Sequence, residues 1–280
     1  MRRRKKKLKW GRIIVFLLIL FLLLISIIVV VFKGDGKVNK GSKENISVSD
    51  KKAKKDDEVV EKALEKAPSN HQEFEVLKDG DYVTEEGYTL KIIDGIAYID
   101  DFIIVNKTYS LPSNYQPKDP YVTVSGERCN DCINKDAMEA FRLMKSDAQS
   151  IGLNIYISSG YRSYSYQDRI YHNYVSVSGK EGADTYSARP GHSEHQTGTC
   201  FDLNSIDDSF AATAEGKWVN DHAYLYGFII RYPKGKEAIT GYQYESWHLR
   251  YVGKDLAGKL YHDGNWETLE EYYGISSAYE

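Results

Sequence analysis

Between Ser187 and Asp202 the chain sets His195 and Asp202 apart by six intervening residues, and between Tyr244 and Tyr251 it sets Glu245 three residues before His248. A divalent ion such as zinc accepts imidazole nitrogen and carboxylate oxygen, and a catalytic site of this kind stops at three protein ligands so that water holds the fourth position. If His195, Asp202 and His248 serve one ion, the fold must carry two distant segments to a single point. That requirement restricts the architecture more than any other feature. A carboxylate that takes a proton from water at such a centre must lie beside the ion without binding it, and Glu245 suits that role. Pro190, Gly191 and Gly198 restrict or free the backbone where the ligands must be aimed. Taken alone, each fragment also fits a surface accident or a satisfied core pair.

The residues from Arg189 to Gly198, then Asp202, then Glu245 to Gly253, together with Ser159 to Ser163 and Gln167, resemble the zinc D-alanyl-D-alanine carboxypeptidases of the VanY type. The resemblance runs from about Phe102 to Tyr273. It implies an α+β fold of the Hedgehog/DD-peptidase kind, a single catalytic domain over 102–275 with a central antiparallel sheet flanked by helices. It implies zinc on His195, Asp202 and His248, with Glu245 as catalytic base. Arg162 is implied to be catalytic, holding the developing oxyanion or the substrate's carboxylate. Gln167, Ser193 and Arg162 are the implied substrate-binding residues, although a solvent-facing Gln167 is an equal reading.

The implied substrates are peptidoglycan stem peptides ending in D-Ala. The expected activity is D,D-carboxypeptidase, with L,D-carboxypeptidase action on the tetrapeptide as the alternative and a noncatalytic wall-binding module as a more distant one. Two positions depart from the family. Ser246 stands where Pro is usual, which releases a fixed φ but keeps the flanking residues. Cys200 stands where a small apolar residue is usual; on a regular strand it shares a face with Asp202 and can reach toward the ion. The ordinary state of a free cysteine is a small buried hydrophobe.

Of 37 Lys and Arg in the 280 residues, nine fall in the first 33, where there is no Asp or Glu; all 40 acidic residues lie later. The part after residue 33 is therefore acidic, which argues against nonspecific nucleic-acid binding, and no obligate protein partner is implied. Arg2 to Arg12 forms a basic tail (1–12), and Ile13 to Phe32 follows without a charge, long enough to span a bilayer core. A cleaved signal peptide would have a shorter apolar region and a small-residue cleavage site. The expectation is an uncleaved transmembrane helix (13–32), N-terminus cytoplasmic and catalytic domain extracellular. Residues 33–73, rich in Lys, Asp, Glu, Ser and Gly, read as a disordered stalk.

Alternating residues over 74–101, with a turn at Asp94-Gly95, predict a small β element outside or packed against the catalytic unit. Met138, Phe141, Met144, Ala148 and Ile151 predict the apolar stripe of a helix over 134–151. Further helices are expected over 165–175 and 210–226, and strands over 154–157, 228–232 and 242–251. His222 reads as a packing residue. Cys129 and Cys132 are open to a local disulfide, two free thiols or redox chemistry. On a regular strand residues 245 and 248 point to opposite faces, so a shared ion demands a bulge or turn near Ser246 and Trp247.

Overall fold

The computed structural model describes residues 78–279. The expected basic tail, transmembrane helix and stalk lie outside these residues. Among the described residues no helix is long and apolar enough to cross a membrane.

The first strands, β1 (Gly80–Val83), β2 (Thr89–Ile93), β3 (Ile96–Ile99) and β4 (Phe102–Ile104), form an antiparallel sheet in that order. Asp94 and Gly95 both have positive φ, 52° and 72°. Left-handed backbone at both central positions gives the turn the twist a two-residue hairpin needs. Leu90, Ile92, Ala97, Ile99 and Ile104 join the same apolar core as the helices that follow. The small β element therefore packs against the catalytic unit. Its last strand begins at Phe102, so the expected division after residue 101 cuts through a sheet and needs moving.

The second sheet has strand order β6 (Ile157–Ser159), β8 (Cys200–Leu203), β10 (Glu245–Tyr251), β9 (Phe228–Tyr232), with every neighbour antiparallel. A two-stranded ribbon pairs β5 (Arg128–Cys129) with β7 (Tyr161–Arg162). The strand expected over 154–157 begins only at Ile157. The Asn204 side chain supplies the reason: its Oδ1 accepts from Tyr156 N at 3.0 Å and its Nδ2 donates to Asn154 O at 2.9 Å. Those groups are satisfied by a side chain instead of a ladder.

Helix α1 (Lys135–Ser150) starts where the Asn134 side chain accepts from the amides of Asp136 and Ala137. Its stripe of Met138, Phe141, Met144 and Ala148 is buried, whereas Ile151, expected in that stripe, is the exposed C-cap. Helix α2 (Tyr164–Tyr186) runs well past the expected end at Val175, through a kink at Gly179. The single helix expected over 210–226 is α3 (Ala214–His222) with a tighter 3-10 turn on each side. His222 stacks on Trp218 with ring centroids 4.9 Å apart, a packing role as expected. Short helices α4 (Glu237–Thr240), α5 (Gly253–Leu260) and α6 (Leu269–Tyr273) complete the unit, the last held by a capping box between Thr268 and Glu271.

Candidate functional site

The two predicted segments meet across one strand pair. His248 lies opposite Asp202 and Arg250 opposite Cys200. Cross-strand partners share a face, so Cys200, Asp202, His248 and Arg250 lie together on one side of the sheet. Phe201, Leu203, Trp247 and Leu249 fill the core. A 3-10 turn, Glu194–Thr197, brings His195 onto the polar side. His195 Nε2 lies 3.3 Å from Asp202 Oδ2, and His248 Nδ1 lies 3.3 Å from Asp202 Oδ1. The two rings stand nearly perpendicular with centroids 4.9 Å apart.

Glu245 joins them only because β10 is irregular. Its pairing with β9 shifts register between Glu245 and Leu249, the break in alternation that the odd spacing demands. Glu245 Oε2 then sits 3.4 Å from His248 Nδ1.

A chain of contacts aims His195. Its Nδ1 lies 2.6 Å from the Gly160 carbonyl oxygen, which is satisfied when Nδ1 carries the proton and leaves the Nε2 lone pair free for a cation. Gly160 is itself held, its N–H donating to Asn130 Oδ1 at 3.2 Å. A Cβ at position 160 would stand 2.5 Å from the Asn130 carbonyl oxygen, so only glycine permits this approach. Asn130 lies inside the loop closed by a Cys129–Cys132 disulfide. Of the readings left open for that pair, the structural bridge is the one observed. The same loop pairs with β7, setting Arg128 opposite Arg162.

Sequence reading missed a buried charge network behind His248. His248 Nε2 faces Glu194 Oε2 at 3.5 Å, while Glu194 Oε1 accepts from Arg231 Nε at 2.7 Å and lies 3.4 Å from Arg250 Nη1. Arg231 forks onto Glu270, with contacts of 2.8 and 2.7 Å, and Glu270 accepts from Asn106 Nδ2 at 3.0 Å. Burial alone would raise the Glu194 pKa; Arg231, Arg250 and His248 more than reverse this and hold it well below the ordinary carboxylate range. A carboxylate on the far nitrogen of a ligating imidazole fixes the ring and raises its basicity. The one visible signal was an arginine inside the apolar run Phe228 to Tyr232, because arginine is almost never fully buried unless paired.

The donor set fits a divalent cation. Among the described residues, His195 Nε2 and Asp202 Oδ1 are buried without a hydrogen-bond partner. A buried orphaned polar atom costs on the order of 1–3 kcal/mol, and a cation at the shared focus of these groups removes that cost. Burial pushes Asp202 up, but the two imidazoles outweigh it and keep the carboxylate ionised. Cys200 is fully buried beside the same rings; they pull its thiol down to about 7 against the effect of burial.

Of the other expected residues, Arg162 is half-buried, its Nε has no hydrogen-bond partner among the described residues, and its charge bears on His195. Gln167 is buried rather than solvent-facing, its Nε2 donating to the Ala188 carbonyl at 2.7 Å while Oε1 is unpartnered. Ser193 is buried at the start of the His195 turn. Tyr279 was not anticipated: its hydroxyl accepts from Arg189 N at 2.9 Å, and the Arg189 guanidinium lies 3.7 Å from the ring centroid. It braces the segment that leads into His195.

The chain matches the family VanY, D-alanyl-D-alanine carboxypeptidase, over residues 130–254, which contain His195, Asp202, Glu245, His248, Arg162, Gln167 and Ser193. It is 42% identical over 231 residues to YodJ of Bacillus subtilis (strain 168), a similarity covering 77% of this chain and 82% of that protein. The protein belongs to the VanY-type D-alanyl-D-alanine carboxypeptidases, zinc-dependent peptidases. Among solved structures, that of the LdcB LD-carboxypeptidase is similar at 41% identity and a TM-score of 0.57, covering 68% of this chain and 95% of that one. A mutant of the vancomycin resistance D,D-pentapeptidase VanY in complex with Zn(II) is similar at 34% identity and a TM-score of 0.51, over 61% of this chain and 97% of that one. The α+β fold is thus that of VanY and LdcB.

Proposed function

We propose that this protein removes the C-terminal D-Ala from peptidoglycan stem peptides, with His195, Asp202 and His248 as the zinc ligands. The observation that carries the reading is the convergence of those three side chains with Glu245, held within 3.3 to 3.4 Å contacts by an irregular strand. Zinc in such a set supplies Lewis-acid charge and lowers the pKa of water from 15.7 toward about 7. Glu245 takes the proton of the attacking water and returns it to the leaving amine. Arg162, whose Nε has no hydrogen-bond partner among the described residues, holds the developing oxyanion or the substrate's terminal carboxylate. Gln167 Oε1 and Ser193 line the approach as substrate-binding groups. Glu194 fixes the far nitrogen of His248.

The family match favours D,D cleavage, releasing D-Ala from a pentapeptide. A second reading, L,D cleavage of the tetrapeptide, is favoured by the higher identity to LdcB than to VanY. Incubation with synthetic penta- and tetrapeptides, followed by mass identification of the product, separates them. D,D action shortens only the pentapeptide by one alanine, and L,D action shortens the tetrapeptide; release from neither removes the proposal.

The remaining organisation rests on sequence. Residues 1–12 form a cytoplasmic tail, 13–32 a single membrane anchor and 33–73 a stalk. The catalytic domain, with the β1–β4 sheet docked on it, then stands outside the membrane, near wall precursors. The support is the charge-free run from Ile13 to Phe32 behind a basic segment.

A further inference from the structure

Cys200 sits where it can do more than fill space. Its Sγ and one nitrogen each of His195 and His248 lie within 4.8 Å of one another, a second potential ligand group beside that of Asp202, Glu245 and His248. All three residues of this group are fully or almost fully buried. Strand alternation sets Cys200 on the same face as Asp202, two residues away, and opposite to Phe201 and Leu203 of the main apolar cluster. Independently, one of the imidazoles it faces carries a buried nitrogen, His195 Nε2, that lacks a hydrogen-bond partner among the described residues. Two imidazoles and a sulfur form a donor set that suits zinc and softer, thiophilic ions, whereas carboxylate-rich sets suit harder ones.

We propose that Cys200 is a metal ligand in this protein, its sulfur bonding the ion that His195 and His248 hold. The inference rests on the metal reading of the site and adds a fourth protein ligand to the three-residue set, so that the attacking water would enter as a fifth, an expansion that catalytic zinc allows. A centre with this sulfur retains thiophilic ions more tightly than one built only from imidazole and carboxylate.

Loading the purified protein with one cobalt(II) per chain tests this by spectroscopy, with no dependence on turnover. The expected result is a sulfur-to-cobalt charge-transfer band in the near ultraviolet beside the visible d–d bands. In Cys200→Ala and Cys200→Ser the near-ultraviolet band disappears and the visible bands remain. Cadmium affinity in Cys200→Ala should fall roughly tenfold or more, at least the scale on which even outer-shell changes act. Stoichiometric cobalt with visible bands and no charge-transfer band in the wild type overturns the proposal while leaving the His195, Asp202, His248 reading intact. Spectra and cadmium affinities identical between wild type and Cys200→Ala do the same, and the wild-type spectrum decides even if a variant fails to fold. Failure of cobalt to bind at all overturns both.

Discussion

Replacing Glu245 by Gln is expected to lower turnover by roughly 10²–10⁴-fold, the range that a positioned general base contributes, while leaving the bound metal in place. The substitution keeps the side chain's volume and its place on the irregular stretch of β10 but removes the ability to take a proton. Glu245 is less enclosed than the three proposed ligands, and its Oε2 faces the His248 nitrogen that also faces Asp202. Metal content by elemental analysis and release of alanine, measured on the same sample, check both halves of the expectation. A variant with ordinary turnover rules out Glu245 as the base. One that loses its metal moves Glu245 into the ligand set.

The second large effect concerns folding. Arg231 lies between Glu194 and Glu270, all three essentially closed to solvent. Arg231→Met fills similar space and leaves two buried carboxylates without their shared cation. Breaking a buried ion pair by removing one partner costs about 3–5 kcal/mol, since the desolvated charge left behind is uncompensated. Urea unfolding with an unchanged slope should show a loss of that size. Because Glu194 also faces His248, metal affinity should fall by about 10–100-fold. A loss near 0.5 kcal/mol with unaltered affinity would mean that water, not the arginine, satisfies those carboxylates.

Much of this arrangement was written locally and could be read without coordinates. Helix α1 declared itself by its apolar period, the β2–β3 hairpin by Asp94-Gly95, and the break in β10 by the conflict between an odd spacing and a common target. The support behind the site was not readable. Glu194, Arg231 and Glu270 come from three separate elements, and nothing about their spacing announces that they meet. Asn204 delays the start of a predicted strand by taking over its hydrogen bonds through a side chain, an override that periodicity does not register. Gly160 was part of the family resemblance alone, whereas its role is to let the backbone reach Asn130 and present its carbonyl to His195. Supports of this kind depend on long-range register, which a local pattern does not encode.

The central claim is that one ion on His195, Asp202 and His248 is indispensable to the chemistry. The most direct measurement is alanine release from a stem peptide by the protein stripped with a chelator and then titrated with zinc. The account predicts no release from the stripped protein and recovery that saturates at one zinc per chain. Undiminished release after the metal has been removed, with elemental analysis confirming its loss, would contradict it.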